Sequence, residues 1–204
     1  MNKKITLSSV LSEGTAIGLK NLPSLIGATL LWILTIWIPY INVGTTIAMQ
    51  SIPCALSKGE VISPFFIFDG KYRKYMGEFF TLIGLQSLSI IPALLFMVVP
   101  GIIISLGWSL SLYILLDKGV GPSEAMVQSN NATYGYKWTM FLSNLVLAVA
   151  FYVVALILTF VVGLVSEALA ALVMLALVLC LMSISLGMSG YIYRKLALEE
   201  TPAE

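Results

Sequence analysis

Residues 138–193 read WTMFLSNLVLAVAFYVVALILTFVVGLVSEALAALVMLALVLCLMSISLGMSGYIY, and Glu167 is the only charged residue among them. A helix of about 20 apolar residues crosses the hydrocarbon of a bilayer. Two such runs lie here, 138–165 and 168–193, separated by the short polar break at Ser166-Glu167. In lipid a spanning segment must satisfy its own backbone, which leaves the helix as the fold open to each run. The stretch therefore reads as a membrane hairpin, and the chain as an all-α integral membrane protein.

Composition extends that reading to the whole chain. Hydrophobic residues make up 59% of the 204 residues and charged residues 10%, with a mean hydropathy of +0.98. A soluble domain carries about a quarter charged residues, so much of this surface has lipid as its solvent. The net charge of +1 gives no general attraction to nucleic acid. No short apolar stretch ending in a small-residue cleavage site follows Lys3 and Lys4, so no cleaved leader is expected. The length suits a single membrane domain, residues 1–204, ending in a short polar tail at 198–204.

Two more runs, 22–40 and 76–99, pass the length test, and two shorter ones, 43–56 and 101–116, are marginal. Each marginal run follows a break that permits reversal, Pro39-Tyr40-Ile41-Asn42 and Pro100-Gly101. Counting all six as spans puts all 11 basic residues on one side: Lys3, Lys4, Lys20, Lys58, Lys71, Arg73, Lys74, Lys118, Lys137, Arg194 and Lys195. That is the positive-inside pattern, with both termini cytoplasmic. The expected architecture is six transmembrane helices as three hairpins, in units of about 5–58, 59–117 and 118–197. A cytoplasmic amphipathic segment precedes each hairpin. Leu25-Ile26-Gly27 and Leu82-Ile83-Gly84 recur at similar places in the first two units.

The stretch from Val99 to Trp138 is the most distinctive. Val99-Pro100-Gly101 leads a span, then come Gly121-Pro122-Ser123-Glu124-Ala125-Met126, Ser129, Gly135 and Trp138, and Leu11-Ser12-Glu13-Gly14 stands before the first span. This pattern resembles the membrane domain of multi-pass glycerophosphodiester phosphodiesterases and its stand-alone bacterial relatives. The resemblance implies a protein of a prokaryotic cytoplasmic membrane. It does not carry over the metal-dependent acid/base chemistry of those enzymes, because the chain has no histidine.

Little else points to catalysis. The acids are scattered, and Cys54 and Cys180 sit alone in apolar runs, so no metal, cofactor or enzymatic activity is expected. Glu78 is expected to pair with Lys74 at helical spacing. The uncharged polar residues Gln50, Gln86, Asn144 and Ser185 lie inside apolar runs, where they either line a polar cavity or bond between helices. The aromatic and basic segment 65–75 offers Lys71, Tyr72, Arg73, Lys74 and Tyr75 as contacts for lipid headgroups. The leading expectation is a non-enzymatic accessory protein that binds membrane lipid, a membrane-protein partner or a second copy of itself. A small transporter or channel is the alternative, and a lipid-modifying enzyme comes third.

Overall fold

The computed structural model describes residues 5–60 and 62–199. Lys3, Lys4 and residues 200–204 of the expected tail lie outside the described residues. The chain is all helical there. α1 (Leu7–Lys20), α2 (Leu22–Thr35) and α3 (Pro39–Ser57) are followed by two 3₁₀ turns, Pro64–Phe68 and Gly70–Tyr75. Then come α4 (Met76–Phe96), α5 (Val98–Gly107), α6 (Ser111–Lys118), α7 (Pro122–Ala132), α8 (Lys137–Gly163) and α9 (Glu167–Tyr193), which runs into a π turn, Arg194–Leu198.

Four stretches are long and apolar enough to cross a membrane: Gly70–Phe96, Val98–Lys118, Lys137–Gly163 and Glu167–Leu198. The protein is a multi-span, all-α membrane protein, but the six-span, three-hairpin architecture does not hold. The first expected hairpin is the part that fails. α2 has 14 residues, about 21 Å at 1.5 Å per residue, against about 30 Å of hydrocarbon. It becomes long enough only when joined to α1, and the two are bent by 72°. α3 is long enough at 19 residues but too polar, with Asn42, Thr45, Thr46, Gln50 and Ser51 along it. The structure buries most of α3 against its neighbours.

Those polar groups tie α3 to α2. The Trp32 indole donates to Thr46 Oγ1 at 3.0 Å, Thr46 donates to Asn42 Oδ1 at 2.8 Å, and Thr35 Oγ1 lies 3.4 Å from Thr45 Oγ1. Ser63–Phe68 then covers the pair, with Ile67 buried among Leu25, Ala48 and Ile52. The segment before α4 is thus a pair of 3₁₀ turns rather than an amphipathic α-helix, and with it goes the threefold pattern.

Glycines set the closest contacts. α1 lies along the last third of α9, where a Cβ at Gly18 would sit 2.5 Å from the Ser183 carbonyl oxygen and one at Gly14 2.6 Å from Met188 Cγ. A Cβ at Gly187 would collide with the backbone of Gly14 and Gly18. Small residues spaced by four let two helix backbones meet, as in other membrane helix pairs. One turn on, Gly190 does the same against Pro53 and Leu56 of α3.

The second marginal run does span, as α5 and α6, but it breaks at Trp108-Ser109-Leu110. A break inside a span leaves backbone groups without partners, and α4 and α7 supply them. Gln86 Nε2 donates to the Trp108 carbonyl at 3.1 Å, and Ser129 Oγ donates to the Gly107 carbonyl at 2.7 Å while accepting from the Leu110 amide at 3.1 Å. Thr133 Oγ1 also donates to Gly107, at 3.2 Å. Ala125, Ser129 and Thr133, spaced by four, are fully buried, so α7 docks its small-sided face onto the broken span.

Candidate functional site

A cavity of about 370 Å³ opens where α3, the second 3₁₀ turn and α6 come together. Ser51, Cys54 and Lys58 reach it from α3 and its C-cap, Lys71, Tyr72, Lys74 and Tyr75 from the 3₁₀ turn, and Leu116 and Asp117 from the end of α6, with Glu60 at the rim. The turn's geometry makes this possible. Asp69 caps it, accepting from the Lys71 amide at 3.0 Å, and successive side chains in a 3₁₀ turn fan out at about 120°. Lys71 and Lys74, three residues apart, therefore face the same way, whereas Arg73 turns aside.

Asp117 organises the inner wall. Its side chain is 9% exposed, it forms an ion pair with Lys58, and its other oxygen accepts from the Tyr193 hydroxyl at 2.9 Å. One carboxylate thereby joins the ends of α3, α6 and α9. The bond to Asp117 holds the Lys58 amine above the ordinary lysine value, against the opposing effect of burial. Cys54, beneath them, donates weakly to the Tyr113 carbonyl at 3.5 Å. Burial first, and then the Asp117 charge, push its thiol up to about 12, so it is a neutral wall rather than a nucleophile.

At the mouth, Lys71 Nζ lies 3.2 Å from Asp69 Oδ2 and 5.0 Å from the centre of the Tyr72 ring. The capping bond from Lys71, above all, keeps the Asp69 carboxyl below the usual carboxylate range. Lys74 has no bonded partner among the described residues. The expected pair with Glu78 does not form, because Lys74 belongs to the 3₁₀ turn and Glu78 to the α-helix, and the change of pitch separates them.

Of the five residues that the sequence singled out in this segment, the structure brings Lys71, Tyr72, Lys74 and Tyr75 to one cavity. Arg73 packs over the Tyr40 ring at 5.6 Å, beside Gly44. That contact joins the 3₁₀ turn to the start of α3. Lys58, which the sequence reading counted only among the basic residues, and Asp117, which it did not single out, complete the site. They are 59 residues apart in the chain, and no local spacing signals their meeting.

The four intramembrane polar residues do not converge. Gln86 bonds across elements, to Trp108 and, at 2.6 Å, to Ser111. Asn144 donates to the Met140 carbonyl of its own helix. Gln50 is exposed and Ser185 half-buried. Among the described residues no group of three or more His, Cys, Asp or Glu side chains is placed to hold a metal ion.

No family model, curated protein or solved structure matches the chain. The geometry of the cavity is thus the argument for function.

Proposed function

We propose that this chain is a non-catalytic membrane protein that holds the phosphate-bearing headgroup of an acidic phospholipid in the Lys58–Lys71–Lys74 cavity. The observation that carries the reading is the convergence of three amines and two tyrosines on one opening, with the Asp117 carboxylate on its inner wall and Glu60 at its rim. A phosphate offers several acceptor oxygens to such donors, and tyrosines settle at headgroup level. The segment that brings the donors leads directly into α4, so the cavity lies at the membrane boundary.

The cavity end is cytoplasmic in this reading. Lys58, Lys71, Lys74, Lys118, Lys137, Arg194 and Lys195 gather there, while the turns at Met97 and Ser166 contain no basic residue. The resemblance to the membrane domain of glycerophosphodiester phosphodiesterases supports a prokaryotic cytoplasmic membrane as its home.

The test uses purified full-length protein and glycerol 3-phosphate as a soluble headgroup. The expected result is a rise in melting temperature in the wild type that the Lys71→Gln/Lys74→Gln double variant loses. Short-chain phosphatidylglycerol should act at lower concentration than the soluble headgroup. An equal response to inorganic phosphate alone would make the cavity a soluble-anion site. No response to any of the three would end the proposal.

A second reading, transport, rests on the broken span α5–α6, since interrupted helices build the substrate sites of many transporters. Uptake of a radiolabelled glycerophosphate into sealed vesicles containing the protein distinguishes the two. The headgroup-binding reading expects none above empty vesicles.

A further inference from the structure

A second hollow, sharing no lining residue with the first, lies between α5 and α8. It has a volume of about 200 Å³, and Val99, Ile102, Ile103 and Leu106 of α5 face Trp138 and Phe141 of α8 across it. Both helices belong to spanning stretches, so the walls meet lipid chains rather than water. Lys137 closes one end. Its amine donates to Asn130 Oδ1 at 2.9 Å, and no carboxylate lies within 4 Å of it among the described residues. The amine also sits at the end of α5, where a Cβ at Gly107 would lie 3.0 Å from Nζ. Asn130 is neutral, so the lysine charge is balanced only in part by the carbonyl end of α5. Trp138 is 72% exposed and stands edge-on to Phe141 at 5.9 Å.

We propose that this groove is a binding site for one acidic phospholipid, with an acyl chain lying between α5 and α8 and the phosphate on Lys137. Charge complementarity selects the occupant: an apolar trough that ends in an amine with no carboxylate partner among the described residues fits a chain that ends in an anion. The site is separate from the Lys58–Lys71–Lys74 cavity and shares no residue with it, so either can fail alone.

Native mass spectrometry of the full-length protein, purified in detergent with equal amounts of dioleoyl phosphatidylglycerol and dioleoyl phosphatidylcholine, reads the site directly. The Lys71→Gln/Lys74→Gln background removes the other cavity from the count. The wild-type groove should retain phosphatidylglycerol about five-fold over phosphatidylcholine, the order expected of one interfacial lysine. Lys137→Gln should erase that preference and Lys137→Arg restore it, which separates charge from folding. Ile103→Trp, which fills the trough, should lower retention of both lipids. Equal retention of the two lipids by the wild type, or an undiminished preference in Lys137→Gln, would overturn the proposal. So would displacement of the lipid by millimolar inorganic phosphate, which would place the affinity in the anion alone. A disulfide-linked dimer through Ile103→Cys, in a background without Cys54 and Cys180, would assign the groove to a second copy of the chain and overturn it equally.

Discussion

Gly187 is the residue on which the packing of α1 turns, because the backbone of another helix occupies the place of its missing side chain. Backbone cannot rotate away as a side chain can. Gly187→Ala should therefore cost about 1–3 kcal/mol or more, as overpacking does elsewhere, and lower the melting temperature in detergent. Gly84 gives the contrast: it is helical and has nothing within 4 Å of an added Cβ. Gly84→Ala should be neutral or stabilising by up to about 1 kcal/mol, the helix propensity difference. Equal losses from the two substitutions would refute the close-approach argument. Lys58 gives a residue-scale prediction with a sign. Its folded value is raised by Asp117, so its contribution is complete below the ordinary lysine value and is lost as pH rises through the folded one. With 45% of the side chain exposed the effect is small. Lys58→Gln should flatten the alkaline limb of a melting-temperature profile, and an alkaline limb as steep as the wild type's would refute the Asp117 contribution.

Among the elements, α7 tests how a short polar helix holds a break in a span. Ser129→Leu should remove two bonds to the α5–α6 break and force volume into a filled contact, a cost on the order of 1–3 kcal/mol. Gln128, one residue away, bonds only to Glu124 and Lys118 at the surface, and Gln128→Leu should be nearly silent. Thermal melts of the two variants side by side decide it, and a more damaging Gln128→Leu would reverse the face assignment. This element was legible from its sequence. Gly121-Pro122-Ser123-Glu124 marks its start, and Ala125, Ser129 and Thr133 mark its buried face, because caps and four-residue spacing are local properties. What α7 packs against was not legible, since nothing near Ser109 in the chain announces that the span breaks there. The 3₁₀ turn of the cavity is the opposite case. Its residue types were readable as an aromatic and basic surface, but its pitch was not, and the pitch decides that Lys74 faces the cavity and Arg73 faces Tyr40.

For the whole molecule, the error in span number has a definite cause. Basic residues report only the parity of crossings between them. Lys20 and Lys58 flank the α2–α3 hairpin, and no Lys or Arg lies between. Charge alone therefore fits a double crossing and no crossing equally well. Dropping one marginal span breaks the pattern, whereas dropping the first pair together leaves it intact. What separates the two cases is burial: α3 spends its polar groups on α2 and its apolar ones on neighbours rather than on lipid. In a background without Cys54 and Cys180, Ser166→Cys should react with a membrane-impermeant maleimide outside sealed cells. Trp37→Cys, at the 85% exposed tip of the α2–α3 turn, should not. Labelling at position 37 from outside would restore the first hairpin as a crossing.

The contact between α1 and α9 also sets an order of events. α1 leaves the ribosome before the Ser183–Gly187 face that receives it, which lies about 170 residues further along the chain. At roughly 5–20 residues per second, α1 waits on the order of 10–35 s for its partner. During that time it lies, half apolar, on whatever surface is at hand. α1 is thus made before its partner and seated only after it, and a ribosome stalled before Ser183 leaves α1 without the face on which it docks.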